Sequence, residues 1–162
     1  MIKQRRQNPM GSYDYSTLYR VFSELIKQGT GLIMIELNGG GEQPEPPFCV
    51  FDIISPFIPL NYLEDDASNA FESVVSFTIY DVSKVAALNR ANELRKLLDR
   101  INSLDAFQAN KIVLVEKMPT QIRYVQEPNQ IIKMVGFDVR LRLTESIIDD
   151  VEAIKEIKIK EM

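Results

Sequence analysis

Apolar residues recur at helical spacing from Ser16 to Gln28, where Leu18, Val21, Phe22, Leu25 and Ile26 form one stripe. Ser16 is placed to cap this helix, and Gly29 and Gly31 to stop it. The run Leu32-Ile33-Met34-Ile35-Glu36-Leu37 then reads as a buried strand, closed by Asn38-Gly39-Gly40-Gly41 and by the proline-rich, exposed Pro44-Glu45-Pro46-Pro47. A second strand is predicted from Phe48 to Ile54, ended by Pro56 and Pro59. After an irregular acidic stretch from Leu60 to Asn69, Val75, Phe77 and Ile79 alternate with Ser76, Thr78 and Tyr80. One face of that strand is core and the other is wetter.

A long helix is predicted after Ser83 and up to about Ile101, with Ala87, Leu88, Ala91, Leu94, Leu97, Leu98 and Ile101 on its apolar stripe. Three strands follow, Ile112 to Val115, Gln121 to Gln126, and Met134 to Thr144. The last is the clearest, because Val135, Phe137, Val139, Leu141 and Leu143 alternate with Gly136, Asp138, Arg140, Arg142 and Thr144. Beyond it the chain is acidic at Asp149 and Asp150 and then alternates as Ile157-Lys158-Ile159-Lys160. That pattern fits either an edge strand with lysines toward solvent or an arm that orders against a neighbouring subunit. Strands grouped around two main helices place the chain in the α+β class, with a mostly antiparallel or mixed sheet. The expected organisation is a flexible arm over residues 1–15, one domain over 16–144, and a C-terminal arm or edge strand over 145–162.

Composition narrows the chemistry. The 162 residues, 45% hydrophobic and 26% charged, suit one soluble domain. There is no histidine, which removes Ser-His-Asp and Cys-His nucleophile systems and histidine-ligated metals. The single cysteine, Cys49, lies in the apolar run Phe48-Cys49-Val50-Phe51, where an inert buried thiol in a reducing compartment is expected. No apolar run is long enough for a membrane span, and the basic start at Lys3, Arg5 and Arg6 leads into polar sequence rather than a signal core.

The charge is divided along the chain. From Gln28 through Ser83 there is no lysine or arginine, whereas Glu36, Glu42, Glu45, Asp52, Glu64, Asp65, Asp66, Glu72 and Asp81 all fall there. From Lys84 to Arg142 cations predominate. A copy of the chain can therefore offer an acidic patch to a basic patch on its neighbour, a head-to-tail contact that closes into a ring when the rotation allows. The interface candidates on this reading are Arg123, Arg140 and Arg142 with Glu72 and Asp52. With a net charge of −4, the chain is not built to coat nucleic acid.

No motif carries a reaction. Gly39-Gly40-Gly41 follows a strand, but no Gly-Lys-Ser/Thr and no helix comes after it, so it reads as a hairpin tip rather than a phosphate cradle. Glu64-Asp65-Asp66 lacks the alternating ligands and turn glycine of a calcium loop. No catalytic residue, metal ligand or cofactor site is assigned, and the chain is not expected to be an enzyme.

The order of the pieces resembles the tail-terminator or neck proteins of tailed bacteriophages. The residues that carry the resemblance are Phe51-Asp52-Ile53, the strand Glu72 to Tyr80, the helical Ala91-Asn92-Glu93-Leu94-Arg95-Lys96-Leu97-Leu98, and Val135 to Leu143. The resemblance implies a virion subunit that forms a ring, usually a hexamer, on the end of the tail tube. Such a ring ends tube growth, meets the head connector and leaves a channel through which DNA passes without being gripped. On this reading Glu64, Asp65 and Asp66 are channel candidates, and Gly39, Gly40, Gly41, Asp149, Asp150, Ile157 and Ile159 are docking candidates for the tube and connector proteins. The alternative is a bacterial small-molecule-binding or regulatory α+β domain, which needs a concave apolar pocket with a few convergent polar groups.

Overall fold

The first apolar stripe becomes helix α1, Ser16–Thr30, in a computed structural model that describes residues 13–60, 70–123 and 131–145. Ser16 lies inside the helix rather than at its cap. The Asp14 carboxylate instead accepts the Ser16 N–H at 3.0 Å, satisfying one of the amides a helix start leaves open. Gly31, at φ 73°, ends the helix and returns its N–H to the Lys27 carbonyl. Gly29 is not a stop. It sits within α1, where a Cβ would fall 2.3 Å from Leu97 Cδ1, so its bareness lets two helices approach.

Strand β1 is shorter than its apolar run, covering only Met34–Glu36, and pairs in parallel with β2. Strand β2, Phe48–Pro59, continues through Pro56, which the sequence had ending it. Register shifts at Ile53/Ser55 and Ser55/Ile58 take the proline out of the regular ladder, and its carbonyl accepts the Tyr15 hydroxyl at 2.9 Å. Strand β3, Ala70–Asp81, pairs antiparallel with β2.

Helix α2, Lys84–Leu97, starts as expected, with Ser83 Oγ accepting the Ala86 N–H. It ends early, and a separate helix α3, Ile101–Ala109, follows. Ser103 Oγ donates to the Leu97 carbonyl at 2.6 Å, which secures the corner between them. The turn sends Phe107 into the core and leaves Ile101 and Leu88 exposed, against their expected place on a buried stripe.

Strands β4, Val113–Lys117, and β5, Gln121–Ile122, both pair with β6, Lys133–Thr144. The predicted extension of β5 to Gln126 lies outside the described residues. Among the described residues the sheet runs β1-β2-β3-β6-β4, with β5 beside β4 on the same edge of β6. Among the described residues it is mixed only through the parallel β1–β2 pair, and three helices rather than two accompany it.

The core lies between the helices and one face of the sheet. Phe22 of α1 meets Phe51, Phe77 and Phe107 with centroids 5.1 to 5.6 Å apart, and Phe77 also contacts Phe137. Every odd-numbered residue from Val135 to Leu143 is fully buried there, so the alternation read from sequence is the alternation of the fold.

Candidate assembly surface

Because the described helices that build the core all pack on one face, the even-numbered residues of β3 and β6 form a second face with no helix over it among the described residues. The β3–β6 register sets Glu72 opposite Arg142 and Ser76 opposite Asp138. Glu72 is nearly buried, and its carboxylate lies 3.5 Å from Arg140 Nη1 and 3.3 Å from Arg142 Nη2. Arg140 Nε, in contrast, is buried without a hydrogen-bond partner among the described residues. Next along the face, Arg123 donates to Asp138 Oδ1 at 2.7 Å and to the hydroxyls of Ser76 and Thr78.

The five interface candidates therefore fall on one face in two groups. Glu72, Arg140 and Arg142 form one cluster, and Asp52 lines a shallow cavity with Arg123. Arg123, Arg140, Arg142 and Glu72 have ion-pair partners within a single chain, which the sequence could not show. Gly39, Gly40 and Gly41 lie on a loop that folds beside this face, and the Pro46–Pro47 bond within that loop is cis. Glu64, Asp65, Asp66, Asp149, Asp150, Ile157 and Ile159 lie outside the described residues.

The sequence reading missed a trough. A cavity of about 480 Å3 is floored by Ile35, Phe48, Val50 and Tyr80 and walled by the glycine loop with Glu36 and Glu42. A second cavity, about 270 Å3, shares Leu37, Val50 and Tyr80 with the first and reaches Arg123. Phe48 and Tyr80 stack at 4.9 Å. The signal was present in Phe48-Cys49-Val50-Phe51, since an unbroken apolar run in a strand means that both of its faces are covered.

Little in this surface suits a reaction. Cys49 is fully buried, and burial pushes its thiol up to about 12, far from a reactive thiolate. Among the described residues no three His, Cys, Asp or Glu side chains gather as metal ligands, and no helix is long and apolar enough to cross a membrane. A family model described as phage neck terminator protein matches residues 16–162. The chain belongs to this family. It is a structural protein of the bacteriophage neck, a tail terminator, and its place is the tail and neck of the virion. No curated protein matches the chain.

Proposed function

We propose that this neck terminator assembles with copies of itself into a ring, hexameric as the resemblance implies, which caps the tail tube. The ring ends tube polymerisation and joins the tail to the head connector, with a central channel for DNA. The observation that carries the reading is a sheet face without a helix over it among the described residues, within a family match that spans most of the chain. The face combines partly exposed arginines with an apolar trough. On this reading the domain is residues 16–144, and the segments outside it are contact arms. Glu64, Asp65 and Asp66 face the channel, and the Gly39–Gly41 loop with the segment after Thr144 docks on the tube and connector.

Negative-stain microscopy and light scattering of the full chain, alone and with tail tubes, test this. The expected result is a closed ring with a central opening, seated on tube ends. A chain that stays monomeric and leaves tube ends bare overturns the proposal.

A further inference from the structure

We infer that the free edge of β1 receives the segment Ile154–Lys160 of a second copy of this chain, added as a strand. The inference rests on the self-assembly proposed above and names the contact. Among the described residues strand β1 lies at one border of the sheet and pairs only with β2, so one side of its backbone is open to another strand. Its side chains alternate. Ile35, and Leu37 just past the end of β1, line the trough, whereas Glu36, which borders it, turns its carboxylate to accept the Tyr19 hydroxyl of α1 at 3.0 Å.

Within the segment Ile154–Lys160, Glu156-Ile157-Lys158-Ile159-Lys160 has the complementary alternation. As a strand beside β1, Ile157 and Ile159 join Ile35 and Leu37 over the trough, and Lys158 and Lys160 fall on the side of Glu36. Charge chooses between the two borders of the sheet. Near β1 no lysine or arginine occurs from Gln28 to Ser83, and Glu36 and Glu42 stand without ion pairs among the described residues. At the β4 border the strand itself carries Lys117, which is paired with Asp99, and Glu116 lies opposite Arg140, so an added cationic strand meets cations as well as a carboxylate. A cationic strand gains most at β1.

Two full-length variants, Leu37→Cys and Ile159→Cys, carry one introduced thiol each, while native Cys49 is buried. Mixed and oxidised, or bridged by a short bismaleimide, they should give a heterodimer containing one of each. A chain carrying both substitutions should give a ladder of linked copies. The heterodimer should be lost when Lys158 and Lys160 are both changed to Glu. A doubly substituted chain that closes only on itself overturns the second-copy assignment. Cross-linking of Ile159→Cys to Val115→Cys on β4 in place of Leu37→Cys overturns the choice of edge. Rings that form and cap tubes without any Leu37–Ile159 link overturn this contact and leave the ring reading standing. Monomers that neither link nor cap overturn both.

Discussion

Reversing the charge of both Arg140 and Arg142 would ordinarily be read as a probe of subunit contact, but the geometry at Glu72 makes it a probe of the fold. The Glu72 side chain is 8% exposed and sits within 3.5 Å of Arg140 and 3.3 Å of Arg142, which are themselves 37% and 48% exposed. Arg140→Glu with Arg142→Glu turns two attractions into two repulsions at a carboxylate that has little water to turn to. Losing the partner of a fully buried ion costs about 3–5 kcal/mol, whereas exposed pairs contribute about 0–1 kcal/mol. The arginines' exposure places the double reversal between these limits, at about 2–4 kcal/mol.

In a domain of this size each kcal/mol moves the melting temperature by about 2–4 °C, so the double variant should melt roughly 4–16 °C lower. Circular dichroism melts of wild type, Arg142→Gln and the double reversal measure this. Arg142→Gln keeps the Arg140 contact and should lose about 1 kcal/mol or less. Adding Glu72→Arg to the double reversal restores opposite charges at the site and should recover part of the loss. A double reversal that melts with the wild type would refute the argument and return these arginines to the role of free surface cations.

Three further outcomes follow from single positions. Gly136→Ala should destabilise by about 1–3 kcal/mol or more, because its Cβ would fall 2.1 Å from the Phe77 carbonyl oxygen on the paired strand, and backbone cannot swing aside. Gly41→Ala, with nothing within 4 Å, is the control that should melt as wild type. Cys49 should resist disulfide reagents at neutral pH in the native protein and react on denaturation, a difference read by thiol titration. Burial raises the Tyr13 and Tyr19 hydroxyls from 10.0 to about 12, the latter aided by its hydrogen bond to Glu36. The fold thus favours the neutral phenols, and this stabilisation, complete below pH 10, should fade as pH climbs toward 12. Melts across that range, with phenolate absorbance, measure it.

Local pattern was readable wherever one neighbour decides burial. The alternation of Val135 to Leu143 needs only a sheet with one covered face, and Ser83 needs only the amides of the helix it starts. Features set by distant contacts were not readable. Pro56 signals a strand end locally, yet β2 passes through it because bulges against β3 accommodate the missing N–H. No glycine or proline marks the break between α2 and α3. It comes from Ser103 binding the Leu97 carbonyl and from Phe107 reaching the core. The Glu72–Arg142 pair joins residues 70 positions apart, and only the β3–β6 register brings them face to face.

That register also changes what the divided charge of the chain means. Read along the sequence, the acidic first half and basic second half are two free patches waiting for a neighbour. In the fold, β3 is the last acidic strand and β6 the most basic one, and their pairing brings Glu72 to Arg140 and Arg142, while β6 and the turn after β5 supply the Arg123–Asp138 pair. Part of the basic surplus is therefore spent inside one chain. Toward β1, Glu36 and Glu42 stand in no ion pair among the described residues, and no lysine or arginine lies in the surrounding stretch from Gln28 to Ser83. Buried or half-buried pairs that are already satisfied set register and orientation, but they have little attraction left to offer a second chain. Unmatched charge beside an open strand edge has both attraction and direction, and for that reason the β1 border, rather than the arginine cluster, is where subunit recognition should be sought first.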